Sequence, residues 1–212
     1  ALLNLSTPAG SLYEVDMRLR PDGAKGLLVS RFESFQQYQQ QRAWTWELQA
    51  LVRARAVAGD SLLDRRFDAL RSDVLCLARD AKTLHAEVIA MRQRMRTELD
   101  RSAAGRFDLK HGPGGLTDIE FFLQAQMLTH AAGRPDLLCL RETPELIEGL
   151  AAAGLLCRDD AGILQDAVEW LQGQGLRCHL GNRKRVVTET DDLARIRDGV
   201  SAVLNRHHML FN

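Results

Sequence analysis

The 212-residue chain carries 28 basic and 28 acidic residues, so its formal charge is zero, and 45% of it is hydrophobic. This balance gives no electrostatic pull toward nucleic acid or an acidic membrane surface, the hydrophobic share excludes a disordered chain, and no apolar run reaches the roughly 18 residues of a membrane span. The four cysteines stand far apart without a Cys-x-x-Cys pair and the six histidines are scattered, which points to reduced thiols in the cytoplasm and away from a metal site built on them.

Ser6-Thr7-Pro8-Ala9-Gly10 is a breaker-rich loop. It feeds a stretch in which apolar Tyr13, Val15, Met17 and Leu19 alternate with polar Glu14, Asp16, Arg18 and Arg20, the pattern of a strand with one buried face. Asp16, Arg18 and Arg20 share the other face. A carboxylate beside two guanidiniums suits a metal with a polyphosphate, and a solvated charged strand face is the competing reading. Arg20-Pro21-Asp22-Gly23 gives a turn, and 27–30 reads as a short returning strand. Two strands cannot stand alone in water, so 1–30 is expected to be the C-terminal edge of a larger, truncated sheet domain and 31–212 a separate helical-bundle domain.

From Phe32, Phe35 and Tyr38 onward the period is helical, with a glutamine-rich solvated flank. A second helix is predicted over 44–57, with Trp44, Leu48, Leu51 and Val52 inward and Gly59 near its end. A third follows Asp60-Ser61 on Leu63, Phe67, Leu70, Val74 and Leu77. A fourth over 83–99 turns Leu84, Val88, Met91, Met95 and Leu99 inward and Arg92, Gln93, Arg96 and Glu98 outward. After the glycine-dense loop 111–115, the Thr117/Glu120 spacing of a capping box starts a fifth helix near Thr117. It runs to about 131 and is apolar nearly all round, as befits the middle of a bundle. Further helices are read over 143–153, 160–176 and 190–211, with Arg183-Lys184-Arg185 in the connection before the last. The fold class is therefore mainly α, a helical bundle preceded by a short β-hairpin.

Gly112-Pro113-Gly114-Gly115 precedes a helix start, where backbone N–H groups can meet an anion. Gly114, Gly115 and the neighbouring Lys110 are thus candidates for nucleotide binding, although the Gly-x-Gly-x-x-Gly and Gly-Lys-Ser/Thr patterns are absent and a tight interhelical turn competes. Asp118 and Glu120 point in different directions from their helix and cannot share one substrate atom; capping accounts for Asp118. The basic run 183–185 suits an acidic partner surface or a solvated loop. Arg55 falls on the buried stripe of the second helix and Glu120 on that of the fifth. A buried charge needs a partner, so the two are expected to form an ion pair that fixes helix register, with Glu47 as the competing partner of Arg55.

Three ordered motifs, Tyr13-Glu14-Val15-Asp16-Met17-Arg18-Leu19-Arg20-Pro21, Ala43-Trp44-Thr45-Trp46-Glu47-Leu48 and Gly114-Gly115-Leu116-Thr117-Asp118-Ile119-Glu120-Phe121, resemble the glutamine synthetase adenylyltransferase family. That family carries two related nucleotidyltransferase halves, one attaching AMP to a tyrosine of glutamine synthetase and one removing it by phosphorolysis. The Trp-Thr-Trp-Glu and Thr-Asp-Ile-Glu-Phe wording is similar to the attaching half; the removing half is the near alternative. The resemblance implies ATP as AMP donor, Mg²⁺ as cofactor, glutamine as effector, and glutamine synthetase and a PII-type signal protein as partners. It makes Asp16 the third metal carboxylate and a catalytic residue, with Arg18 and Arg20 toward phosphates. The Gly-Ser turn and Asp-x-Asp pair that open such a site are nowhere in this chain, so it reads as part of a catalytic domain, inactive alone. A non-catalytic helical regulatory module is the alternative from another class.

Overall fold

The structure, a computed structural model, describes residues 6–7, 10–11 and 20–211. Among these it is mainly α-helical, with eight α-helices and two short antiparallel strand pairs. Strand β1 (Ser6–Thr7) pairs with β2 (Gly10–Ser11), inside the stretch that reads as a loop. The alternating stretch over 12–19, with Asp16 and Arg18, lies outside the described residues.

The expected turn is present. Asp22 takes a left-handed φ of 60°, a 3-10 turn covers Gly23–Lys25, and the Gly23 N–H donates to the Arg20 carbonyl at 2.8 Å. The returning strand over 27–30 is absent: Leu27, Leu28 and Val29 are 80%, 66% and 83% exposed on irregular backbone. Three consecutive apolar residues lack the alternation that gives a strand one buried face.

Helices α1 (Phe32–Gln41), α2 (Thr45–Arg53), α3 (Ser61–Leu75) and α4 (Ala81–Leu99) follow in order. Asp60 and Asp80 cap α3 and α4 by accepting the N–H groups of Leu62 at 2.6 Å and Thr83 at 2.8 Å, contacts worth about 1 kcal/mol each. Helix α2 stops at Arg53, short of the predicted 57, and Ala54 is extended. Buried Arg71 of α3 closes that end, donating to the Leu51 carbonyl at 2.9 Å, to the Val52 carbonyl, and to the Leu138 carbonyl at 2.8 Å. A guanidinium there meets carbonyls at the helix end, of which that of Leu51 also accepts the Ala54 N–H at 3.1 Å. Burial pulls the Arg71 pKa down to about 10, which leaves it charged at neutral pH.

Strand β3 (Arg106–Asp108) pairs with β4 (Val186–Thr188), Asp108 opposite Val186. Between them run α5 (Leu116–His130), α6 (Thr143–Ala152) and α7 (Arg158–Leu180), and α8 (Asp191–Arg206) follows β4. Helix α5 is the hub expected from its apolar circumference, packing on α2, α4, α6 and α7. Its Ile119, Phe122, Leu123, Met127 and Leu128 are buried, and each stabilises the fold by about 1.5–3 kcal/mol. No described helix is long and apolar enough to cross a membrane.

Candidate functional site

Helix α4 continues its buried row from Leu84 and Val88 at steps of four into Arg92 and Arg96, so both guanidiniums turn toward α5 rather than outward. The Arg92 side chain is 0% exposed and that of Asp118 2%. Arg92 Nε donates to Asp118 Oδ1 at 2.6 Å, Arg96 Nη2 donates to Oδ2 at 2.8 Å, and the Gly114 N–H adds a third donor to Oδ2 at 2.8 Å. Arg92 Nη2 also reaches the His111 carbonyl at 2.7 Å, and Arg96 donates to the Phe211 carbonyl. Burial lowers the Arg92 pKa while the Asp118 charge opposes that shift. The cluster fastens α4, α5, the glycine loop and the segment after α8 at one point. Sequence reading missed it by giving the α4 stripe to Met91, Met95 and Leu99, whose rows lie beside the true one; the unbroken four-residue spacing from Leu84 was the available signal.

The glycine loop is built by internal hydrogen bonds. Asp108 Oδ1 accepts the N–H groups of Lys110 at 2.9 Å and His111 at 3.0 Å. The Gly115 N–H donates to the Gly112 carbonyl, Leu116 to Leu109 and Thr117 to Lys110, at 2.9 to 3.1 Å. With the Gly114 N–H on Asp118, the N–H groups of the loop are engaged within the fold, and Gly114 and Gly115 stand at close-packed positions. Gly114 has φ +77°, and an added Cβ would lie 3.0 Å from Arg197 backbone; at Gly115 it would lie 2.9 Å from the Gly112 carbonyl oxygen. The capping box is not formed either. Gly115 is the N-cap of α5, Thr117 sits inside the first turn, and Asp118 is a buried ion-pair acceptor as well as a partner of the loop.

On the other side of this turn lies an open cleft of about 570 Å³. One wall is the α7 face carrying Gln172, Gly175, Leu176 and His179; the opposite wall is Leu116 and Glu120 of α5 with Lys110 of the loop, and Arg53 and Arg185 complete it. The expected Arg55–Glu120 pair is not there. Arg53 Nη1 donates to Glu120 Oε1 at 2.9 Å and Arg53 Nη2 lies 3.7 Å from Glu142, whereas Arg55 is exposed beyond the end of α2. Because α2 ends at Arg53, the helical wheel that aimed Arg55 inward does not apply to it. Glu47 is not a partner of Arg55: it is buried, accepts the Tyr38 hydroxyl at 2.9 Å and reaches back to the Trp44 N–H at 2.8 Å. Burial, then that bond to Glu47, raises the Tyr38 pKa. Trp44, expected inward, is the N-cap of α2 and 69% exposed.

Of the N-terminal candidates, Asp16 and Arg18 lie outside the described residues. Arg20 Nε donates to the Gly26 carbonyl at 3.1 Å, closing the turn, and Asp22 pairs with Arg42 at 2.9 Å. No group of three or more His, Cys, Asp or Glu among the described residues is placed to hold a metal ion.

The model of the glutamate-ammonia ligase adenylyltransferase family matches residues 1–70, and that described as GlnD PII-uridylyltransferase matches residues 82–195. Among curated relatives, the bifunctional glutamine synthetase adenylyltransferase/adenylyl-removing enzyme of Xanthomonas axonopodis pv. citri is 52% identical over 197 residues, 93% of this chain and 21% of the relative. The enzymes of the same description from Stenotrophomonas maltophilia strain R551-3 and Pseudomonas aeruginosa are 52% and 44% identical over 90% and 88% of this chain. The chain spans about a fifth of the length of these relatives. With these matches running through the N-terminal stretch and the helical body alike, the chain belongs to the glutamine synthetase adenylyltransferase family, and its residues 82–195 to the family described as GlnD PII-uridylyltransferase.

Proposed function

We propose that this chain is the helical body, with the last strands of the catalytic domain, of the half-enzyme that transfers AMP from ATP to a tyrosine hydroxyl of glutamine synthetase. The observation that supports the family's chemistry is 52% identity across 93% of the chain to a relative named as the bifunctional adenylyltransferase/adenylyl-removing enzyme; the choice of the transferring half rests on the Trp44-Thr45-Trp46-Glu47 and Thr117-Asp118-Ile119-Glu120-Phe121 wording. In the reaction the hydroxyl oxygen bonds to the α-phosphorus, the bond to the β-phosphate oxygen breaks, and pyrophosphate leaves with the electron pair. Asp16 would hold Mg²⁺ as one of its carboxylates, the ion would supply neutralisation of the triphosphate charge, and Arg18 and Arg20 would meet phosphate oxygens. The enzyme works in the cytoplasm, with glutamine as effector and a PII-type protein as signal.

The helices bear on that chemistry through a series of polar links. Arg20 is fixed to its own turn, Asp22 pairs with Arg42 after α1, Tyr38 of α1 bonds Glu47 of α2, and Arg53 of α2 pairs with Glu120 of α5. The turn that follows the Asp16 segment in sequence is thus held against α1, which suits a body that positions a catalytic edge. A second reading, a regulatory module, is favoured by the match of residues 82–195 to a PII-uridylyltransferase description.

The test is incorporation of labelled AMP into glutamine synthetase by this chain and by a version extended upstream to restore the Asp-x-Asp pair. Transfer by the extended protein alone is expected. Robust transfer by the 212-residue chain, or phosphate-dependent release of ADP without forward transfer, would overturn the assignment.

A further inference from the structure

The cleft between α5 and α7 has a charge imbalance among its described lining residues. Arg53, Lys110 and Arg185 face it with a single carboxylate, Glu120, which Arg53 already holds at 2.9 Å. Neither the Lys110 nor the Arg185 side chain meets a carboxylate among the described residues, whereas exposed Arg66, Arg134 and Arg195 each do. In a chain with zero formal charge, two neighbouring cations without a carboxylate partner among the described residues make a local positive field.

Their nearness is built in. Asp108 of β3 lies opposite Val186 of β4, and the ladder runs one step further as the Leu109 N–H donates to the Arg185 carbonyl at 3.0 Å. Lys110 follows Leu109 directly and has its own N–H on Asp108. Arg185 lies over α7 at a position without a side chain: a Cβ added to Gly175 would stand 4.0 Å from Arg185 Nε. His179, one turn further along α7, adds a ring N–H. The volume, about 570 Å³, lies within the range of small-molecule sites, and Leu116 and Leu176 offer apolar wall beside the cations.

We propose that this cleft binds a small phosphate-bearing molecule, its phosphate held between Lys110 and Arg185 and its organic part against Leu116 and Leu176. Arg engages phosphate oxygens in bidentate fashion and Lys supplies a point charge, so the pair suits a phosphate dianion, and Glu120, neutralised by Arg53, does not repel it. The cleft lining includes none of Asp16, Arg18 and Arg20, and the proposal does not depend on the direction of AMP transfer.

Pyrophosphate and inorganic phosphate serve as probes, titrated into the 212-residue chain at fixed ionic strength and followed by calorimetry and amide NMR shifts. The expected result is saturable one-site binding, with shifts centred on Lys110, Gly175 and Arg185. Lys110→Ala and Arg185→Ala should each weaken it roughly tenfold or more. Arg183→Ala, in the same basic run but outside the cleft wall, should leave it unchanged. Both cations are solvent-facing, so the variants should melt with the parent. Absence of saturation through the millimolar range, equal loss in Arg183→Ala, or capture of an acidic peptide without phosphate binding would each overturn the site. Because the readout is binding, it stands or falls apart from the transfer assay.

Discussion

Asp118 and Glu120 stand two residues apart on the first turns of α5, and each accepts an arginine, yet they belong to different environments. The Asp118 side chain is 2% exposed and meets Arg92, Arg96 and the Gly114 N–H together; that of Glu120 is 31% exposed and shares Arg53 with Glu142 at the edge of an open cleft. The helical turn sends them to opposite sides of the same hub. On the buried side every charge has become part of the fold, while on the open side charge is left over. The difference teaches that residue type alone does not separate structural from available charges; burial and the number of internal partners do.

The comparison breaks most visibly at Asp118. Asp118→Asn leaves Arg92 as a buried cation without a counter-ion, and a loss of about 3–5 kcal/mol is expected, lowering Tm by roughly ten degrees in a chain of this size. Chemical denaturation measures it directly, and a near-neutral result would mean the cluster is not a fastening.

A second buried carboxylate gives a pH test of intermediate size. Asp160, 4% exposed, accepts Arg206 Nε at 3.0 Å and pairs with His207 at 3.2 Å. Burial alone would raise its pKa, but the bonds from Arg206 and His207 outweigh it and hold the carboxyl below its usual 3.8. A group lowered in the folded state contributes stability that is present above its unfolded pKa and is lost as pH falls through the folded value. Melting temperatures recorded below about pH 5 should therefore fall less steeply for Asp160→Asn than for the parent. Parallel slopes would refute the coupling.

The smallest effect is expected at the open side. Glu120→Gln removes a partly solvated pair, so less than about 1 kcal/mol should be lost, and the cleft should gain affinity for anions because Arg53 is released from its carboxylate partner there. A loss as large as that of Asp118→Asn would erase the distinction between the two sides.

Much of the helical architecture was readable in the sequence. The all-round apolar face of α5 marked the hub, and Asp60 and Thr190 stand at helix starts as N-caps. What stayed hidden depended on contacts remote in the chain. The β3–β4 pair joins three-residue strands too short to show a period, the early end of α2 is set by Arg71 from another helix, and that end moved the Glu120 partner from Arg55 to Arg53. Arg92 and Arg96 read as solvated because charge is scored by residue type, while their partner Asp118 arrives from α5. Of the candidate site, Lys110 and Glu120 came from sequence; Arg185, Gly175 and His179 needed the fold to bring α7 and β4 beside the glycine loop.

In the proposed function Asp16 carries the chemistry and the helical bundle supports it. The most direct measurement is AMP incorporation into glutamine synthetase by the upstream-extended protein carrying Asp16→Asn, with its melting curve recorded alongside. We predict loss of AMP transfer by at least about a hundredfold with an unchanged melting temperature, as expected for removal of a metal carboxylate rather than a structural one. Transfer retained at the parent rate would contradict the account.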